Sequence, residues 1–282
     1  VETRIRSAGK EVIISYQRPT VLIGERINPT GKKELSEAIR AKDMDFIRRE
    51  AVAQVEAGAD VLDVNVGVSG VDEVTLLPEV IKVVADAVDV PLCIDTGNPG
   101  AIEAALRVYN GKALINSVNG EEESLNTILP LAKEYGAAVV ALLLDEKGIP
   151  DNADGRLEIA ARILQRADSL GISRDNIVID CLVMAVSTDM QAGLVALETI
   201  RRVRQELDLN ITLGVSNISF GMPERGLINN TFLSMAIMAG VTCPIVDAAR
   251  VRTAVLTADL VLGRDNYGAR YIKDYRQRKT TP

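Results

Sequence analysis

Acidic and amide side chains recur at the ends of short apolar runs along this chain. Asp63 with Asn65, Asp95, Asn116, Asp180, and Ser216 with Asn217 are placed this way, as are Glu25, Asn28, Asn119, Asp145 and Asp247. Carboxylates only accept hydrogen bonds, while primary amides both donate and accept. Such a set, with no lysine in it, suits a ligand that presents several N–H donors. Phosphate would instead require Arg, Lys or a glycine-rich cradle. The chain contains no histidine, which removes Ser-His-Asp and Cys-His catalysis and the commonest metal ligand. A divalent cation could use oxygen ligands, but the carboxylates come from separate runs and form no compact triplet, so no metal site is expected. Cys93, Cys181 and Cys243 form no CxxC pair and read as buried thiols.

Each polar residue also has a plain structural use. Asp or Asn at a strand end often caps the next helix or closes a turn. That is the expectation for Asp145 and Asn28, and for Asn119 as the N-cap before Glu121-Glu122-Glu123. Asp95, Asn116, Asp180 and Asn217 are expected inside their strands rather than after them, and are read as a ring around a polar ligand.

The elements that must position these groups are eight β-rich runs, at 21–28, 61–67, 92–97, 113–119, 138–145, 177–183, 211–219 and 243–247. Segments of helical periodicity lie between them, such as the stripe Ala192, Val195, Ala196, Thr199, Ile200, Val203, Leu207. Gly58, Gly136, Gly171 and Gly240 precede strands and read as helix C-caps, and Pro99 after Asn98 suits a first helical turn. Strand–helix repetition predicts a parallel sheet, and eight near-continuous apolar strands favour a closed (β/α)8 TIM barrel of the α/β class. No G-x-G-x-x-G follows the first strand, which weakens a dinucleotide fold. In a barrel the strand ends converge on one mouth. If Asp95 points inward so does Cys93, while Leu92 and Ile94 face helices. Residues 1–19 form an N-terminal extension in which 11–16 reads as a strand of a possible β-hairpin plug, and 20–282 form the barrel domain.

The 282 residues are 47% apolar and 25% charged, the balance of a globular domain. A net charge of −7 and a pI near 4.9 argue against nucleic-acid or anionic-membrane partners. The longest apolar run, 137–144, is far shorter than the roughly 20 residues of a membrane span. No signal-peptide pattern is present, so a cytoplasmic protein is expected. The basic C-terminal stretch, with Asp265 and Asp274 interleaved, reads as a solvated or packed helix.

The strings IGERINPTG (23–31), AGADVLDVNVG (57–67), LCIDTGN (92–98), LINSVNG (114–120), VIDCL (178–182), LGVSNISFG (213–221) and LINNTFLSMAIMAG (227–240) lie in register along almost the whole barrel. Together they resemble the pterin-binding family of methyltetrahydrofolate methyltransferases, of the acetyl-CoA pathway and of O-demethylase and glycine betaine demethylase systems. The folate domain of methionine synthase and dihydropteroate synthase are similar at greater distance. The resemblance implies that Asp95, Asn116 and Asp180 hydrogen-bond the pterin, that Asn217 approaches N5 and serves catalysis, and that Gly214 and Ser216 line the same wall. Asp63 would stand behind them, and Glu25, Asn65 and Asp247 are further candidates at the mouth. Arg225, in a loop, would cover the ligand or meet a partner. Some relatives carry an amide where this chain has Phe220, which suggests ring packing instead. The implied activity moves a methyl group between (methyl)tetrahydrofolate and the cobalt of a corrinoid (cobalamin) on a partner protein, in a homodimer with no metal bound by the chain itself. Nothing in the chain fixes the direction. The rivals are a dihydropteroate synthase-like enzyme and a non-catalytic folate-binding subunit.

Overall fold

The structure, a computed structural model, describes residues 1–280. An antiparallel hairpin, β1 (Thr3–Arg6) and β2 (Glu11–Ile14), comes first. The barrel strands are β3 (Ile23–Ile27), β4 (Val61–Val64), β5 (Leu92–Asp95), β6 (Leu114–Val118), β7 (Ala138–Leu142), β8 (Ile177–Asp180), β9 (Asn210–Thr212) and β10 (Ile245–Val246). Helices α1 (Lys33–Ala41) and α2 (Met44–Glu56) follow β3, and α3 (Glu73–Ala87), α4 (Pro99–Val108), α5 (Glu122–Glu134) and α6 (Ala153–Ser169) follow the next four strands in turn. Then come α7 (Ala192–Arg202), α8 (Arg225–Ala239), α9 (Ala248–Val261) and the terminal α10 (Ala269–Thr280). All eight barrel strands pair in parallel, in the order β10-β3-β4-β5-β6-β7-β8-β9. The bridge from Gly214 to Ile245, with Ile245 N donating to Leu213 O at 3.0 Å, joins β9 to β10 and closes the cylinder. The (β/α)8 expectation holds.

Strand alternation sorts side chains into two cores. Leu92, Ile94, Ile115 and Ile179 face outward and pack with the helices. Cys93, Leu114, Val140 and Val178 face inward and cluster with Ile5, Val12 and Ile14 of the hairpin. The hairpin thus fills the barrel's amino-terminal end, and burying Ile5 and Ile14, both 0% exposed, contributes about 1.5–3 kcal/mol each. Buried Asn210 secures it by donating to Thr3 Oγ1 at 3.0 Å and Ile14 O at 2.9 Å.

All four joint glycines have positive φ. At Gly58 the reason is twofold, since φ is 100° and a Cβ would lie 1.4 Å from Arg252 Nη1. Asn98 caps α4 by accepting from Gly100 N and Ala101 N. The basic terminal stretch is helical as expected, and its Asp274 accepts from both Arg252 and Arg278.

Several strands stop earlier than the apolar runs predict. The second ends at Val64, and the seventh at Thr212, after which Val215–Ser219 form a 3₁₀ turn. Asn217 therefore lies beyond its strand, not inside it. The cause at many strand ends is a side chain that accepts from the backbone two residues on and turns the chain out of the sheet. Asn28 does this to Thr30 N at 3.1 Å, Asn65 to Gly67 N at 2.7 Å, Asn119 to Glu121 N at 2.9 Å, Asp145 to Lys147 N at 3.0 Å and Asp180 to Leu182 N at 2.8 Å. Asn119 is consequently a turn residue, and Glu121, not Asn119, occupies the cap position of α5. Among the described residues no helix is long and apolar enough to cross a membrane.

Candidate active site

Inward positions one layer above the apolar filling carry the polar groups. Asp63 follows Val61, Asp95 follows Cys93, Asn116 follows Leu114 and Asp180 follows Val178, each two residues along its strand. Asp95 Oδ2 accepts from Asn28 Nδ2 and Asn65 Nδ2, both at 3.0 Å. Asn116 Nδ2 donates to Asp63 Oδ1 at 3.3 Å, and Asp63 and Asp95 are themselves hydrogen-bonded. Burial pushes the Asp63 carboxyl well up, and the neighbouring Asp95 charge pushes it further. Burial also raises Asp95, against the opposing pull of the Asn65 amide. One proton shared by the pair relieves the repulsion, so they titrate together. Asn28, read from sequence as a turn residue, closes its turn and also orients Asp95.

Asp180 stands across the mouth, 6% exposed, with its carboxyl pushed up to about 7 by burial, against the opposing hydrogen bond from Leu182 N and the Arg156 charge. Arg156 is 2% exposed. Its Nη1 donates to Cys181 O and Leu182 O, both at 2.7 Å, and its Nε to Pro150 O at 2.9 Å. It therefore fixes the segment leaving β8. Sequence reasoning passed over Arg156, although it occupies the buried stripe of α6 shared by Ala160, Ile163 and Ala167. A charge on such a stripe was the available signal.

Asn217, Ser216, Phe220, Glu25, Arg225 and Asp247 line a cavity of about 640 Å³ beside β3, β10 and the 3₁₀ turn. A Cβ on Gly214 would come 3.2 Å from Asn217 Nδ2, so glycine leaves room for that amide. Arg225 is the first residue of α8 rather than part of a loop. Its Nη2 donates to Ser216 O at 2.8 Å and its Nε to Ser219 Oγ at 3.0 Å, clamping the turn that carries Asn217. Phe220 is 67% exposed, with the Arg225 guanidinium 5.9 Å from its ring centre. Asp247 pairs with Arg250 at 3.3 Å and Arg26 at 3.7 Å. Lys32, which sequence reasoning missed, lines the cavity and donates to Glu25 O and Asn28 O at 3.0 Å. Asn229 and Asn230, present in the strings but assigned no role, also line it, each with a buried side-chain oxygen that lacks a partner. Among the described residues no group of three or more Cys, Asp or Glu is arranged to hold a metal ion.

The sequence-selected residues thus gather into two neighbouring sets. Asp63, Asn65, Asp95, Asn116 and Asp180 form an acceptor-rich layer inside the barrel, and Asn217 with Ser216, Glu25 and Arg225 line the adjoining cavity. Buried carboxyls with raised pKa values at a TIM-barrel mouth define the class of protein, a barrel with a candidate polar ligand site at the carboxyl ends of its strands. The chain belongs to the family described as pterin binding enzymes, whose sequence profile matches residues 24–247. It is 34% identical over 270 residues to a methylcorrinoid:tetrahydrofolate methyltransferase of Eubacterium limosum, covering 93% of this chain and 98% of that protein. It is 31% identical to a methionine synthase of Mycobacterium tuberculosis over 89% of this chain but only 22% of that longer protein. The fold is shared with dihydropteroate synthase of Yersinia pestis at a TM-score of 0.70 and 17% identity, over 93% of this chain and all of that one.

Proposed function

We propose that this chain moves a methyl group between N5 of a tetrahydrofolate and the cobalt of a corrinoid carried by a separate protein. The supporting observation is the division of the mouth. Asp95, Asn116 and Asp180 present acceptors to the amide and amino edge of a pterin, while Asn217 stands apart from them beside its own cavity, where N5 would lie. The relative from Eubacterium limosum bears a name of the same chemistry. A dihydropteroate synthase would need a basic group for pyrophosphate where this chain reads Val215-Ser216-Asn217.

A methyl on N5 departs badly unless the nitrogen becomes more positive, so the enzyme must stabilise a protonated N5 and align an in-line displacement. The Asn217 amide can turn to accept from protonated N5 or donate to the neutral nitrogen. A chain without histidine offers no imidazole to ligate cobalt, which supports a corrinoid that docks over the mouth on its own protein. The test compares two variants. Asn217→Ala should lower turnover at saturating folate by about 100-fold or more with little change in Kd, as loss of one transition-state hydrogen bond does. Asp95→Ala should act mainly on the folate Kd. Wild-type turnover in Asn217→Ala, or an unchanged Kd in Asp95→Ala, would refute the corresponding role.

We further infer a homodimer. The outer faces of α7 and α8 form an apolar groove of about 1140 Å³, with Leu194 62%, Met235 50% and Met238 69% exposed. Helix α8 buries Phe232, Leu233, Ala236 and Ile237 on its other side, so it is apolar on two faces. The charges around the groove are paired within the chain, Glu198 with Arg201 and Arg204 with Asp208, which suits a self-complementary contact. Free, buried cysteines support a cytoplasmic setting. We treat residues 1–19 as the plug and 20–282 as the pterin-binding domain.

A further inference from the structure

Methyl transfer at N5 also moves a proton. When N5–H attacks a cobalt-bound methyl, the N–C bond forms and the Co–C bond breaks with its electron pair passing to cobalt. The nitrogen is left positively charged and must release its hydrogen. In reverse, N5 gains a proton first, cobalt attacks the methyl carbon, and the C–N pair stays on nitrogen as N5–H. An amide cannot hold that proton between turnovers, so another group must.

Register narrows the search. Gly214 pairs with Ile245, and Ile245 with Ile23. Two residues further along these three neighbouring segments stand Ser216, Asp247 and Glu25. Glu25 and Asn217 line the same cavity. Of the other carboxylates there, Glu50 is engaged with Arg26 at 3.0 Å and Asp247 with Arg250 and Arg26, while Glu34 stands exposed on the first turn of α1. The Glu25 carboxylate makes no hydrogen bond or close ion pair among the described residues. Burial raises its pKa, and Asp247 at the end of β10 adds to the rise. Lys32 from the loop after β3, Arg225 of α8 and Arg250 of α9 oppose it. An acid held above the ordinary glutamate range is suited to exchange a proton near neutrality.

We propose that Glu25 holds the proton that N5 gains and loses, as base when methyl arrives on tetrahydrofolate and as acid when it leaves, with Asn217 orienting N5. This rests on the methyl-transfer reading above. The test is single-turnover transfer between methylcobalamin and tetrahydrofolate, followed across pH for wild type, Glu25→Gln and Glu25→Asp, with tetrahydrofolate Kd and unfolding temperature measured in parallel. Glu25→Gln should slow transfer by about 100-fold and lose the ionisation limb of the pH profile, with Kd within about threefold of wild type. Glu25→Asp should keep a limb, shifted in pH. A wild-type rate and limb in Glu25→Gln would overturn the proposal, as would a rate loss fully restored by saturating folate. If Glu25→Gln does not fold, Glu25→Asp decides, and an unshifted limb overturns it. A wild-type protein that binds folate but transfers no methyl overturns the underlying reading, and this proposal with it.

Discussion

Asp180 is buried at the mouth, where the recognition of folate proposed for it would be linked to stability. Its folded-state pKa of about 7 lies above the ordinary value, so the fold favours the neutral acid. The stability it contributes is full below about pH 4 and is lost as the pH rises through about 7. Asp63, Asp95 and Glu25 are shifted in the same direction. The ligand-free protein is therefore expected to lose stability as the pH rises from about 4 to about 7. Asp180→Asn should remove part of that slope and gain on the order of 2 kcal/mol at pH 8, roughly 4–8 °C in Tm for a chain of this size. Folate affinity should fall in the same variant, because an amide offers the pterin one acceptor oxygen rather than two. Thermal unfolding in matched buffers checks this, and identical slopes in wild type and variant would contradict it.

At the scale of elements, the site depends on how strands end. Acceptor side chains bond the backbone two residues ahead and turn the chain outward, so Asn28, Asn65 and Asp180 of the candidate site also shape the rim. The segment after β8 depends additionally on Arg156 of α6, whose three hydrogen bonds to carbonyls have no replacement in an apolar side chain. Arg156→Met should lower stability by about 2–4 kcal/mol and weaken folate binding through misplaced Asp180. Arg166→Met makes the control. Its pair with the exposed Glu122 lies on the surface, so its loss should cost less than about 1 kcal/mol and leave binding unchanged. Equal effects of the two replacements in denaturant melts would argue against the anchoring role.

For the whole molecule, the barrel presents two separate surfaces. The mouth must stay open to a corrinoid protein, while the apolar groove of α7 and α8 lies along the side of the barrel. Docking a second copy in the groove therefore leaves the mouth accessible. Placing Glu at both Leu194 and Met238 would set unpaired charges in that contact, which is strongly unfavourable when desolvated. If the proposed dimer forms through this groove, sedimentation should show dimers for the parent protein and monomers for the double variant, with the unfolding midpoint becoming independent of concentration. A persistent dimer would place the contact elsewhere.

The order of apolar runs, the glycine joints at Gly58, Gly136, Gly171 and Gly240, and the alternation within Leu92–Asp95 were enough to specify a barrel and the inward direction of Asp95, because strand period and helix capping are local properties of the chain. The pterin-binding family was legible in strings matched across the barrel, and the sequence profile agrees. Local patterns could not show that Asn28 reaches across to Asp95, that Asp63 and Asp95 share a buried site, or that Glu25 shares a cavity with Asn217. Nor could they show that the seventh strand stops at Thr212 and delivers Asn217 on a turn. These facts depend on closure of the sheet, which brings the eighth strand between the first and the seventh, and on burial, which shifts the carboxyl equilibria only once the surrounding strands have excluded water.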